Sequence, residues 1–128
     1  MTPADPSTAK TLGGCLCGAI RYEISGEPEQ ALVCHCPDCR KAAGSHAVSW
    51  LIVDKTQFIL VKGQPTAYGS SPGVVRTFCG KCGTTLTWAG DAHPARIDVT
   101  LGSLDDPNKF IPARAVYRRH KLKWASEI

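Results

Sequence analysis

The chain has 128 residues, 43% of them hydrophobic and 20% charged, with a formal net charge of +4. That length suits a single domain able to bury roughly two-thirds of its unfolded surface. The mild positive charge is too weak to argue by itself for a nucleic-acid partner, and the longest apolar run, residues 47–53, is too short to span a bilayer.

The first ten residues, MTPADPSTAK, hold no apolar stretch of signal-peptide type and read as part of a polar, proline-containing tail. Residues 1–11 are therefore expected to be a flexible tail and residues 12–128 one domain, in a cytoplasmic protein with no membrane contact. From there the pattern is short strands broken by Gly, Pro, Asn and Asp. Residues 19–24 alternate, with Ile20, Tyr22 and Ile24 on one face and Cys15, Cys17, Ala19 and Arg21 on the other. The one helix expected covers residues 37–43, with Pro37 at its first position and Gly44 as its stop. Strands are expected at 47–53, 58–62, 74–78, 84–88, 96–101 and 113–117, with a short turn near Asp105-Asp106-Pro107. The fold class is mainly β: a single compact domain of irregular antiparallel sheets.

Seven cysteines stand in three groups: Cys15 and Cys17, then Cys34, Cys36 and Cys39, then Cys79 and Cys82. In a reducing compartment such spacing points to metal or redox chemistry, and the odd count resists a fully paired disulfide framework. Cys15 and Cys17 lie two apart, so in an extended segment both side chains point one way. C-x-x-C at Cys79–Cys82, flanked by Gly80 and Gly83, converges through a tight turn. The two pairs make a four-thiol set that zinc accepts as a closed tetrahedron with bonds near 2.3 Å, and iron also takes four thiolates. In CHCPDCRK, Cys34, Cys36 and Cys39 are three, and three thiolates leave the fourth position of a zinc ion free. The same residues also allow a redox pair of Cys36 and Cys39 with Cys34 resolving, or a site closed by His35 or His46. His93, in a turn, and His120, in a basic tail, read as solvated.

Taken together, GGCLCGAIRYE, CHCPDCRKAAGS and FCGKCGTTL resemble the glutathione-dependent formaldehyde-activating enzyme and centromere protein V family, over about Leu12 to Trp124. The resemblance implies an Mss4-like arrangement of sheets around zinc. It implies two Zn2+ sites, a structural one on Cys15, Cys17, Cys79 and Cys82 and a catalytic one on Cys34, Cys36 and Cys39. It also implies carbon–sulfur lyase chemistry on a small thiol such as glutathione with an aldehyde (formaldehyde), giving S-hydroxymethylglutathione.

Arg21, Arg40, Lys41 and Arg76 are candidate partners for carboxylates, with no role assigned to any one of them. Trp50 and Trp88 are expected in the core or on a cleft wall, excluding water if they border the three-thiol site. YRRHKLKW, Tyr117 to Trp124, mixes bases with aromatics as nucleic-acid surfaces do. The preferred reading is a terminal strand with Trp124 docked on the core. A zinc-stabilised binding module and a thiol redox protein are the alternatives to an enzyme.

Overall fold

The structure is a computed structural model and describes residues 9–125. Residues 1–8 of the expected tail lie outside the described residues. Lys10 and Thr11, read as the end of that tail, instead belong to the first strand and pair with Ser25 and Ile24.

Two sheets make the domain. The smaller has three strands in the order β1 (Lys10–Gly14), β2 (Arg21–Ser25) and β5 (Phe58–Lys62), all antiparallel. The larger has seven. It starts at β10 (Arg114–Val116) and β3 (Gln30–Cys34), followed by β4 (Val48–Asp54) and β9 (Arg96–Thr100). It ends with β8 (Thr85–Gly90), β7 (Val74–Phe78) and β6 (Thr66–Ser71). Within it β10 runs parallel to β3, and the other neighbours are antiparallel. The parallel pairing departs from the wholly antiparallel expectation. It is possible because β10 reaches β3 from far along the chain, not through a tight hairpin. Helix α1 (Pro37–Ala43) follows β3 directly, and Pro107–Lys109 form a 3₁₀ turn capped by Asp106 near the turn expected there. No helix among the described residues is long and apolar enough to cross a membrane.

The two-residue period of a strand assigns each side chain of the large sheet to one of two faces. Ala31, Leu51, Val53 and Val99 take the first and pack with Tyr22 and Ile24 of the small sheet and with Ile20 just before β2. Leu32, Cys34, Val48, Trp50 and Ile52 take the second, joined there by Cys39 of α1. Strand β4 is therefore apolar on both sides, and Leu51 and Ile52 are both completely buried. Burial of each such side chain is worth about 1.5–3 kcal/mol.

Three strands were not expected from the sequence: β1, β3 and β6. The run QALVC in β3 is continuous rather than alternating, because both of its sides are covered. The run TAYGSS in β6 lies at the exposed edge and carries little apolar patterning. Trp124 also departs from expectation. It is 73% exposed and its ring meets that of His46 at a tilt of 52°, centroids 5.3 Å apart, so it is not docked on the core.

The small sheet meets the 3₁₀ turn Leu101–Ser103 closely at Gly13, which stands opposite Tyr22 in the register and bridges to Leu104. The Tyr22 hydroxyl shares a 2.6 Å hydrogen bond with Ser103 Oγ. A Cβ at Gly13 would run into the Tyr22 phenol and would lie 2.8 Å from the Ser103 carbonyl oxygen. Gly13→Ala is expected to cost about 1–3 kcal/mol through overpacking, read as a lower urea midpoint. Gly69→Ala, where a Cβ meets open space, is the control and should leave the midpoint nearly unchanged. Equal midpoints for both variants and the wild type would contradict the packing described.

Candidate metal centres

The first thiol cluster joins two turns. Cys15 and Cys17 lie between β1 and β2, and Cys79 and Cys82 between β7 and β8. The extended arrangement expected for Cys15 and Cys17 is not what brings them together, because the chain turns there: Gly18 N–H donates to the Cys15 carbonyl at 3.1 Å. Gly83 takes a positive φ of 82° and closes the second turn by donating to the Cys79 carbonyl at 2.8 Å. Leu16 N–H donates to Thr84 Oγ1 at 3.0 Å and ties the two turns to each other.

All four sulfurs lie within 4.8 Å of one another. Cys15 and Cys17 Sγ are 3.6 Å apart, and Cys17 and Cys79 Sγ 3.8 Å. Disulfide sulfurs sit at about 2.05 Å, whereas sulfurs held tetrahedrally by bonds of about 2.3 Å stand about 3.8 Å apart. The donor set therefore fits a metal ion. Backbone amides reach two of the sulfurs: Ile20 N–H donates to Cys15 Sγ at 3.2 Å and Cys82 N–H to Cys79 Sγ at 3.5 Å. The Thr84 hydroxyl and backbone hold the Cys82 thiol down to about 5.

The second cluster gathers at the end of β3. Cys34 is the last residue of that strand, and Cys36 is the N-cap of α1, its Sγ accepting from Cys39 N–H at 3.2 Å. Pro37 starts the helix where its missing N–H costs nothing. One turn later the helix delivers Cys39, only 5% exposed. The three sulfurs lie within 4.8 Å of one another, and no His, Asp or Glu joins them as a fourth group among the described residues. His35 is fully buried and His46 packs against Trp124, and neither of these possible fourth ligands belongs to the set. His93 and His120 are exposed, as read from the sequence.

Arg76 was named from the sequence only as a candidate carboxylate partner, and the structure gives it a different contact. It is 7% exposed on β7, and its two Nη atoms lie 3.8 and 3.7 Å from Cys39 Sγ. Its Nε donates to Ser70 Oγ at 3.3 Å. The Cys39 thiol is held down to about 5, first by the hydrogen bond from Cys34 and then by Cys36 and Arg76, against the effect of burial. The Cys34 thiol is pushed up by that same hydrogen bond and by burial. Arg21 does pair with a carboxylate, Asp105, at the surface. Arg40 and Lys41, the other basic candidates, make no ion pair among the described residues.

A cavity of about 410 Å³ opens onto the three thiols. Trp50 and Trp88 border it, as expected of tryptophans that keep water from a site. So do Arg76, Asp98, Arg96, Arg114 and Tyr117. The strand registers explain this company: Arg76 stands opposite Trp88, Trp88 opposite Asp98, and Asp98 opposite Ile52, across β7, β8, β9 and β4. A row beside it runs Thr100, Trp50, Leu32, Arg114. A second cavity of about 500 Å³, bordered by Lys41, Tyr68 and Phe78, shares Asp38 and Arg76 with the first. Sequence reasoning missed Asp98 and Arg114, since a lone charge in an alternating strand reads as a solvated face.

The Arg76 contact yields a test. Arg76→Met keeps the bulk and removes the charge, so metal affinity at Cys34, Cys36 and Cys39 should drop at least tenfold, while the four-thiol cluster keeps its metal. Chelator competition with a colorimetric metal indicator separates the two. Unchanged affinity at both clusters would contradict a role for Arg76 in holding the Cys39 thiolate.

Comparison with known proteins fits this geometry. A crystal structure of a Rhodobacter sphaeroides protein superposes with a TM-score of 0.67 at 21% identity, over 82% of this chain and 99% of that one, and so shares the fold. A Schizosaccharomyces pombe protein named as an uncharacterized lyase is 34% identical over 77 residues, 60% of this chain. The match spans 56% of that relative's length. A model of the family described as glutathione-dependent formaldehyde-activating enzyme matches residues 10–120. With that match running through both thiol clusters and nearly the whole described fold, the chain belongs to the glutathione-dependent formaldehyde-activating enzyme family.

Proposed function

We propose that the protein is a zinc-dependent carbon–sulfur lyase acting on a small thiol and its aldehyde adduct, of the kind that forms and cleaves S-hydroxymethylglutathione. The observation that carries this reading is the three-thiol cluster opening into a cavity with no fourth protein ligand among the described residues. Family membership and the lyase-named relative support it. Cys15, Cys17, Cys79 and Cys82 are the structural ligands, and Cys34, Cys36 and Cys39 those of the reactive centre. Zinc bound at the second set would favour the thiolate form of an incoming thiol and polarise a carbonyl.

The chain's own groups supply the rest. The reaction joins the thiol sulfur to the aldehyde carbon, and the proton lost by the thiol ends on the new hydroxyl, so no oxidant or reductant is needed. The Arg76 guanidinium, beside Cys39 on the cavity wall, offsets negative charge where the alkoxide develops. Trp50 and Trp88 keep water from competing with the thiol. Asp98 is 5% exposed and held in an ion pair with Arg96, Arg96 Nε donating to it at 2.8 Å, and Arg96 lies over the Trp88 ring at 5.7 Å. Burial pushes the Asp98 carboxyl up and the Arg96 pair opposes that. The pair fixes the tryptophan wall.

Magnetisation-exchange NMR on glutathione and formaldehyde measures adduct formation and cleavage directly. The zinc-loaded protein should accelerate exchange well above buffer. Cys36→Ser should lose at least a hundredfold of that rate while keeping the fold and one zinc of two. Exchange no faster than buffer with any small thiol and aldehyde, or full activity in Cys36→Ser, would sink the proposal.

A further inference from the structure

Among the described residues, the cavity beside the three thiols is bordered by one arginine whose charge is not already met by a sulfur or a carboxylate. Arg76, Arg96 and Arg114 border it. Arg76 faces Cys39, and Arg96 is spent on Asp98 through Nε at 2.8 Å and Nη2 at 3.0 Å. Arg114 differs. Its Nε donates to Gln30 Oε1 at 3.0 Å, and its Nη groups make no hydrogen bond or ion pair among the described residues.

Its place is fixed by the sheet. Val116 stands opposite Cys34, and Arg114 opposite Leu32, two residues back on the same face. From ordinary strand spacing and rise, the Arg114 and Cys34 Cα atoms are about 8 Å apart. A guanidinium on that stem lies within a few bond lengths of a ligand whose sulfur is at the thiol cluster.

A second observation falls at the same rim. Tyr117 is the one non-glycine residue with positive φ among the described residues, at φ 55° and ψ 40°. It borders the same cavity. A left-handed conformation costs an ordinary residue roughly 1–2 kcal/mol, and such positions concentrate at ligand clamps. Here it ends β10 immediately after Val116 and leaves the ring at the cavity mouth.

We infer that Arg114, with Tyr117 beside it, docks a carboxylate of the ligand whose sulfur occupies the three-thiol centre, so that the site selects thiol acids over neutral thiols. The planar fork of arginine matches a carboxylate in a bidentate pair. A guanidinium whose Nη groups are open in this way suits a single negative charge. This inference rests on the thiol reading of the site.

Isothermal titration of the zinc-loaded protein tests it without turnover. The probes are S-methylglutathione, which cannot form an adduct through its sulfur, and its dimethyl ester. The acid should bind at least tenfold more tightly than the ester. Arg114→Gln should erase that difference, and Arg114→Lys should restore part of it, with thermal melts confirming that both variants fold. Equal binding of acid and ester, no binding of either, or an Arg114→Gln variant that keeps the preference would overturn the inference. Arg114-dependent binding without any adduct turnover would remove the lyase reading alone. Turnover with binding indifferent to Arg114 would remove this inference alone.

Discussion

The two-residue period of β3, β4 and β9 is the constraint on which everything else rests. It sends Ala31, Leu51, Val53 and Val99 into the core shared with the small sheet. It sends Leu32, Cys34, Trp50 and Ile52 to the opposite face. A slip of one residue would exchange the two sets, placing Cys34 in the apolar core and Leu51 at the cavity. The register is therefore specified from both sides at once, and the site inherits its geometry from packing. Only the last steps, Cys36 and Cys39, are supplied by the N-terminal turn of α1.

The two thiol clusters solve different physical problems. The first is closed: four sulfurs arise from two turns, and Cys17 and Cys79 meet across 62 residues of chain. A metal there would tie the β1–β2 hairpin of the small sheet to the β7–β8 hairpin of the large one, reinforcing the hydrogen bond from Leu16 N–H to the Thr84 hydroxyl. The second has three sulfurs and would leave one position of a bound zinc free, and of its thiols only Cys39 is held down. Arg76, buried on β7, sets its guanidinium against Cys39 Sγ without filling that position. A histidine or a fourth cysteine at that point would close the centre. A guanidinium, which has no lone pair to donate, leaves it open.

Much of this was legible in the sequence because cysteine spacing carries its own geometry. C-x-C, C-x-C-x-x-C and C-x-x-C divide into a set of four and a set of three, and the structure brings together those same sets. The strands 58–62 and 74–78 were read at their true bounds, and the helix at Pro37–Ala43 followed from Pro37 and Gly44. The strand β3 was hidden by its burial on both faces, and β6 by its exposure. Asp98 and Arg114 could not be found from local pattern, and Arg76 was named without its contact to Cys39. Each is one charged residue in a short strand, and its meaning comes from which strand lies beside it. Trp124 was misplaced because an aromatic near a terminus reads as an anchor, whereas its partner is the exposed ring of His46.

The central claim is that one thiol centre is saturated by the protein and the other is not. Cadmium-113 NMR of the doubly cadmium-substituted protein tests it most directly, because the shift reports the number of sulfur ligands. Two resonances are predicted. The one from Cys15, Cys17, Cys79 and Cys82 should be indifferent to added thiol. The one from Cys34, Cys36 and Cys39 should start in the range of three sulfurs and move to that of four when glutathione is added. A single bound cadmium, or two resonances both at four sulfurs before any thiol is present, would contradict the account.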